Sequence, residues 1–280
     1  MVRVGVHISI AGSIAQSVGR AQAISCDTFQ IFSRNPRGWK YKEIPVEEAE
    51  AFRSALAMSG IKPVFDHMPY LPNLASPKED IYEKSCAALS AELQRCGQLS
   101  IPFLVTHLGH HLGEGADPGR GRVVEAINSA LSGAPPGVML LLENTAGEKN
   151  SVGSTFEDIR AVLDGIEYPS HVGVCFDTCH AFGAGYELRS PEGIEETLAT
   201  LDEVIGHPLV RLIHLNDSRG ERGSGLDRHE HIGLGSIGEE GFSLMLHTDF
   251  FRKRPLICET PVDDRRDDRG NIAKVRELAG

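Results

Sequence analysis

Short apolar runs rich in β-branched residues recur along the chain at residues 2–7, 28–32, 63–66, 101–107, 138–143, 171–177, 210–216 and 255–260. They are continuous rather than alternating, as in Val138-Met139-Leu140-Leu141-Leu142, the pattern of strands covered on both faces in a parallel sheet. The segments between them have helical spacing. Ala49, Phe52 and Leu56 recur at i, i+3 and i+7 within 46–56, and 13–24, 77–98, 122–131, 155–163, 192–205, 239–246 and 271–278 follow the same rule. Ser76 before Pro77 predicts a capped helix start with proline in the first position, and Ser154, with Glu157 three residues on, predicts another.

Strict alternation of strand and helix predicts an α/β fold, a (β/α)8 TIM barrel, with an open doubly wound sheet as the competing arrangement. The barrel is preferred because no Ser/Gly/Pro linker or shift of composition divides the chain, so residues 1–280 are expected to form one domain. The longer stretches 180–190 and 217–238 follow the sixth and seventh strands, where a barrel builds its active site.

Composition narrows the class without changing the fold. With 41% hydrophobic and 24% charged residues the chain is ordinary for a folded protein, and no apolar run approaches the roughly 20 residues that span a bilayer. Six cysteines are too sparse for a disulfide framework, and the first residues enter a strand pattern without the features of a secretion signal. Reduced thiols and a cytoplasmic location are expected. Lys and Arg number 28 against 39 Asp and Glu, a formal charge of −11 that by itself argues against a polyanionic partner.

The ends of the strand candidates carry the chemistry. His67, His107, Glu143, Asp177, His214 and Glu259 stand at or just after the ends of six successive runs, and in a barrel such ends converge on one face. His180 follows Asp177 by three residues, and Asp227 and His229 are two apart. For any single one, a helix cap or a buried hydrogen-bond partner is the commoner explanation. Six in succession would pack carboxylates and imidazoles together at a large desolvation cost unless cations compensate them. Five His and four carboxylates form a mixed N/O set suited to Zn²⁺ more than Mg²⁺, with Mn²⁺ or Fe²⁺ as alternatives. Nine ligands divide into about three open sites, and three divalent ions would bring the charge of −11 to about −5.

These residues sit in segments that resemble the endonuclease IV family of zinc-dependent apurinic/apyrimidinic endonucleases. The resemblance runs end to end: Gly173-Val174-Cys175-Phe176-Asp177-Thr178-Cys179-His180, His214-Leu215-Asn216-Asp217-Ser218 continuing to Asp227-Arg228-His229, Tyr70-Leu71 and Asn73 after His67, Glu143-Asn144-Thr145-Ala146-Gly147, and Glu259-Thr260-Pro261. It implies a barrel with three zinc ions that cuts duplex DNA 5′ to an abasic site, leaving a 3′-hydroxyl and a 5′-deoxyribose phosphate. One zinc would be held by His67, His107 and Glu143, a second by Asp177, His214 and Glu259 with Glu143 bridging, and a third by His180, Asp227 and His229. Water activated by the first two metals would attack phosphorus in line while the third stabilises the departing oxygen. Glu143 and Glu259 would serve catalysis, Glu259 also as an orienter of the nucleophile. Arg37, Tyr70 and Leu71 would enter the minor groove and fill the gap left by the extruded nucleotide. The family further implies a monomer.

The chain departs from the family where His107-Leu108-Gly109-His110-His111 lacks a Pro after the first His and a Ser two positions on. His110 or His111 would then be either an extra phosphate contact or an ordinary exposed loop residue. Arg219 stands where Lys is common. Residues 233–238 spell G-x-G-x-x-G but follow a loop rather than a strand, which predicts a turn whose amides lie near a DNA phosphate. Cys175 and Cys179 read as buried thiols, and the charged run 263–268 as a solvated loop. Two rivals remain: a xylose-isomerase-like sugar isomerase or epimerase using Glu143, Asp177, His214 and Glu259 with one or two metals, and a non-catalytic binder of damaged DNA with structural zinc.

Overall fold

In the computed structural model, which describes residues 2–40 and 42–280, every predicted apolar run coincides with a strand of one sheet, the third strand extending one residue past its run to His67. Its strands are β1 (Arg3–Val6), β2 (Phe29–Ile31), β3 (Val64–His67), β4 (Phe103–Thr106), β5 (Met139–Glu143), β6 (Val172–Asp177), β7 (Val210–His214) and β10 (Pro255–Cys258). A separate antiparallel pair, β8 (Asp217–Ser218) and β9 (His229–Glu230), lies within the predicted long loop. The eight-stranded sheet runs β1-β10-β7-β6-β5-β4-β3-β2 with parallel pairing throughout. It closes where His7 bridges to Gln30 and the Ile8 amide donates to the Gln30 carbonyl at 2.7 Å. Gly5 permits that closure, because a Cβ there would lie 1.7 Å from the Thr28 carbonyl oxygen.

Helices α1 (Ala15–Ala23), α2 (Val46–Ser59), α3 (Glu79–Leu99), α4 (Ala116–Leu131), α5 (Phe156–Asp164), α7 (Pro191–Val204), α8 (Gly238–Leu246) and α10 (Asp268–Ala279) follow the barrel strands in turn. Their apolar faces and the outer face of the sheet share one large core. A second cluster fills the barrel itself: Phe65, Val105, Leu141, Cys175, Leu212 and Ile257, all fully buried. Each lies two residues before one of the predicted ligands. Side chains two apart on a strand share a face, so a dry layer inside the barrel obliges the next inward position of six strands to face the axis above it.

Several local expectations shift. Ser76 does not cap α3: its hydroxyl accepts from the Lys78 amide at 3.1 Å and closes a turn before the helix. The cap of α5 is Thr155, whose Oγ1 accepts from the Asp158 amide, and not Ser154. Helix α4 begins at Ala116, ahead of its apolar periodicity, and Gly119 in its first turns lets it pass close to His111, where a Cβ would stand 2.8 Å from the His111 Cβ. Two short helices went unforeseen, α6 (Thr178–Ala184), which takes up the start of the predicted 180–190 loop, and α9 (Asp249–Arg252). The 263–268 run is interlocked rather than merely solvated: Asp263 accepts from His231 and Arg265, and Asp267 caps α10. No helix among the described residues is long and apolar enough to cross a membrane.

Candidate metal centre

His67, Glu143, Asp177 and His214 are the last residues of β3, β5, β6 and β7, and His107 and Glu259 come one residue after β4 and β10. All six project inward above the barrel's apolar layer. Glu143, with no exposed surface, is the hub: His214 Nδ1 lies 2.8 Å and His180 Nδ1 3.5 Å from Oε1, while His67 Nε2 lies 3.1 Å and His107 Nε2 3.4 Å from Oε2. Asp177 ends β6 and also starts α6, because its Oδ1 accepts from the His180 amide at 2.8 Å as the helix cap. That turn places the His180 ring over the barrel mouth. The β8–β9 hairpin folds the next loop back, bringing Asp227 Oδ1 to 3.2 Å from His180 Nε2 and 3.5 Å from His229 Nε2.

The imidazoles are oriented in a common way. Nδ1 of His67 pairs with the Met68 carbonyl at 2.7 Å, that of His180 with the Asn144 carbonyl at 2.9 Å, and that of His229 with the Glu259 carbonyl at 3.1 Å. A ring nitrogen fixed on a carbonyl leaves the other with its lone pair free, the arrangement of metal-binding histidines. His214 is turned the other way: Nε2 faces the Gln30 Oε1 at 2.8 Å and Nδ1 faces the carboxylates. Nε2 of His180 and His229 are buried without a properly directed hydrogen bond, close though Asp227 is. A buried, unpaired acceptor nitrogen beside a carboxylate is costly as it stands and is satisfied by a cation between them.

The ligand atoms of His67, His107 and Glu143 lie within 4.8 Å of one another, as do those of His180, Asp227 and His229. The N/O donor set and the orphaned nitrogens fit divalent ions. Around His214 the contacts are split: Glu259 Oε2 is 3.2 Å and Asp177 Oδ2 3.9 Å from Nδ1, and His214 forms close triples with His67 and Glu259 and with Glu143 and Cys175.

Electrostatics express the same crowding. Burial opposes protonation of His180 and His214, yet the surrounding carboxylates, Asp177 and Asp227 for His180, Glu259 and Glu143 for His214, together with Cys175 at His214, hold both pKa values well above the ordinary value. Burial would raise Glu143, but the charges of His107 and His214 and hydrogen bonds from His214 and His67 hold it well below the carboxylate range. Glu259 is likewise held at about 2 against its burial, chiefly by His214. His107 falls below its usual value through burial, against the pull of Glu143. Divalent metal would displace the protons that these carboxylates favour on His180 and His214.

Sequence reasoning missed the residues that orient the candidate ligands. Gln30 Nε2 donates to Glu259 Oε1 at 2.7 Å and also meets His7 Nδ1 at 3.1 Å. Asn216 donates to Asp177 Oδ2 at 2.7 Å and accepts from the Glu259 amide at 2.7 Å, and Asn144 accepts from the Asp177 amide at 2.7 Å. His7 ends the first apolar run, so the strand-end rule that found the others would have found it too.

A cleft of about 360 Å³ opens over the centre, lined by His67, Tyr70, His107, His180, Asp227, His229 and Glu259 together with Arg228, Thr260 and Pro261. Tyr70 is 69% and Leu71 38% exposed at its edge, and the Tyr70 ring leans edge-on against Phe32 at 5.1 Å. Arg37 is exposed on the β2–α2 loop, outside the cleft lining.

Other expectations change. His110 and His111 are half-buried rather than exposed: the His110 backbone is held by Asn73, and His111 Nδ1 accepts from the Gly115 amide at 3.0 Å. The glycine-rich 233–238 segment keeps no amides for a phosphate. Gly233, Gly235, Ile237 and Gly238 all donate to the Asp217 carboxylate, and a Cβ on Gly235 would sit 2.6 Å from Asp217 Oδ1. Arg219 is paired with Glu230 at 3.3 Å. Cys175 and Cys179 are buried thiols as expected, and burial pushes the Cys175 pKa up to about 12.

Residues 18–278 match the protein family described as a xylose isomerase-like TIM barrel. Over their full lengths, this chain and a "Probable endonuclease 4" of Methanoculleus marisnigri are 62% identical. The crystal structure of endonuclease IV from Thermus thermophilus superposes with a TM-score of 0.88 at 35% identity, covering 99% of this chain and 98% of that one. A D-tagatose 3-epimerase-like protein shares the fold alone, with a TM-score of 0.70 at 17% identity over 99% of this chain and 98% of its own. Fold, site and kinship agree, and the chain belongs to the endonuclease IV family.

Proposed function

We propose that this protein hydrolyses the phosphodiester 5′ to abasic sites in duplex DNA, leaving a 3′-hydroxyl and a 5′-deoxyribose phosphate, at a centre of three divalent ions, zinc foremost and Mn²⁺ or Fe²⁺ as alternatives. The observation that carries the reading is the pair of separate ligand groups, His67/His107/Glu143 and His180/Asp227/His229, with Glu143 reaching toward His214 and the Glu259 side. A sugar isomerase needs only the Glu143, Asp177, His214 and Glu259 set and gives the five remaining ligands no work. Structural zinc alone would not call for an open cleft above the ligands.

In this reading His67, His107 and Glu143 would hold the first ion, His214, Glu259 and Asp177 together with Glu143 the second, and His180, Asp227 and His229 the third. When bound, such ions supply Lewis-acid polarisation of a phosphate and lower the pKa of water toward neutrality. The chain does the rest. Glu143 and Asp177, fully buried, fix the ligand cage so that it does not reorganise during turnover. Glu259, 18% exposed at the cleft, orients the attacking water and accepts its proton. Tyr70 and Leu71 at the rim wedge into the duplex, where unstacking costs least because a base is already missing, and Arg37 meets the backbone beside them.

The deciding experiment is incision of a duplex carrying one abasic-site analogue, by protein whose bound metal has been counted, with and without chelator. Cleavage 5′ to the lesion, lost on chelation from about three metals per chain, is the expected result. Tight lesion binding without cleavage would favour a damage sensor, and one or two metals with no lesion binding would favour the sugar enzymes.

A further inference from the structure

The opposite end of the barrel, where the strands begin, holds an open cavity of about 1050 Å³. It is lined by 19 residues, of which Arg3, Arg53, Lys62, Arg211, Lys253 and Arg254 are cationic and none is Asp or Glu. In a chain of net charge −11 this is a pronounced local reversal. Among the described residues only Lys253 of the six has a carboxylate within ion-pair distance, Asp249 at 2.7 Å. Arg3, Arg53 and Arg254 donate instead to backbone carbonyls of Lys253, Gln98, Val210, Phe250 and His207, which fixes the guanidinium groups without neutralising them. Burial and the nearby Arg211 charge hold Arg254 below its ordinary pKa, as expected where positive charge is left uncompensated.

The lining also holds the apolar side chains of Leu56, Ile61, Val64, Leu99, Val210 and Phe103, and the Phe103 ring stacks on Phe65 of the barrel layer at 5.2 Å. Four lining prolines, Pro63, Pro102, Pro208 and Pro255, stiffen the rim and offer no N–H, so an arriving chain is recognised by its side chains and not by adding a strand. Ser100 is the one neutral hydrogen-bonding side chain in the lining. The apolar part of the lining has no counterpart on a duplex, whose outer surface is charged throughout.

We propose that this amino-terminal face is a docking site for a short acidic peptide of a partner protein that carries an apolar anchor, the anchor seated against Phe103 and the carboxylates on the cationic rim. The filled barrel layer separates it from the metal centre, so the partner would bind without competing for the cleft, and the proposal stands independently of which DNA lesion is cut.

The test uses full-length, metal-loaded protein and a fluorescein-labelled peptide of four aspartates followed by leucine and phenylalanine. Micromolar binding is expected, weakened at least tenfold in the Lys62→Glu/Arg211→Glu double variant, with its incision of abasic DNA unchanged. Replacing the peptide's leucine and phenylalanine by serine should weaken binding at least tenfold as well. A photo-crosslinking form of the peptide, used on the unsubstituted protein, should label residues of this cavity, which tests the site even if the double variant folds poorly. Equal binding of the serine peptide, adducts elsewhere, or unchanged affinity in the folded variant would overturn the proposal. So would a loss of intact-duplex binding in the variant without loss of peptide binding, which would make the face a second DNA contact.

Discussion

Gln30 Nε2 donates to Glu259 Oε1 at 2.7 Å across 229 positions of sequence, and its own Oε1 faces His214 Nε2 at 2.8 Å. One amide thus sets the orientation of a carboxylate and an imidazole that are both proposed ligands. Gln30→Leu keeps the volume and removes both contacts. Metal affinity, measured by competition with a chelator, should fall about 10–100-fold, the usual cost of losing a partner behind a ligand. Unchanged affinity with lower incision would instead make Gln30 a contact to substrate.

Glu259 has two proposed roles, and one substitution separates them. Glu259→Gln keeps shape and an oxygen ligand but cannot accept a proton from water. If the second role holds, kcat should drop about 10²–10⁴-fold, the range for a lost general base, while metal content by atomic spectroscopy falls far less. Parallel losses would leave Glu259 as a ligand only.

The barrel and the inward row of candidate ligands were legible for one reason: the inward layer is continuous. Apolar runs marked the strands, and a dry layer two residues before each strand's end forces His67, Glu143, Asp177 and His214 onto the same inward row. What escaped was set by distant pairing. Gln30 is an uncharged residue inside an apolar run, and nothing local reveals that it meets Glu259. The glycine-rich segment looked ready for a phosphate because Asp217, which occupies its amides, lies 16–21 positions away. The cationic floor is assembled from six cations scattered along the chain, so the acidic total concealed it. His111 and Ser76 were misread because turn hydrogen bonds do not follow hydrophobic period.

Leu71, 38% exposed beside Tyr70, presents apolar surface next to the cleft. If it fills the gap in a lesion duplex, Leu71→Ala should weaken binding to abasic DNA about tenfold, near the value of burying most of that side chain, and leave binding to intact duplex nearly unchanged. Fluorescence anisotropy with the two duplexes checks this. Equal losses would reduce Leu71 to loop packing.

Glu187 joins two loops near the barrel mouth: it accepts from the Leu188 and Arg189 amides, from the Arg189 side chain at 2.8 Å, and from Arg222 at 2.9 Å. Hydrogen bonds from Arg189, helped by the Arg222 charge against some burial, lower its pKa from 4.5 to about 2. Between these values the unfolded chain binds more protons than the folded one, so this contribution is complete above about pH 4.5 and is lost as pH falls toward 2. In metal-free protein, Glu187→Gln should cost about 1 kcal/mol at pH 6. The gap in urea midpoint should narrow steadily below pH 4.5; a gap independent of pH would assign the cost to packing.

The loop that presents Arg37 is tied to a buried ionic network. Glu92, fully buried on α3, accepts from Arg34 and from Ser33 Oγ at 2.6 Å, Arg95 donates to Ser33 Oγ at 2.7 Å, and Arg34 Nη1 reaches the Gly38 carbonyl at 2.7 Å. Ser33 is fixed from the other side, its amide donating to Asp66 Oδ1 at 2.9 Å. Removing the carboxylate that pairs with both arginines takes a buried counter-charge out of the interior, at a cost of about 3–5 kcal/mol for Glu92→Leu. Glu92→Gln retains an acceptor and should cost less. The network grips residues 33–38, and it reaches a proposed ligand only through Asp66 Oδ1, which also accepts from the His67 amide at 3.0 Å. Glu92 itself touches none, so the Gln variant should keep its metal while losing affinity for abasic duplex. Arg37→Ala in the same background should then add little, since a loop already released no longer presents its arginine. Full additivity of the two substitutions would show that Glu92 supports the barrel and not the loop.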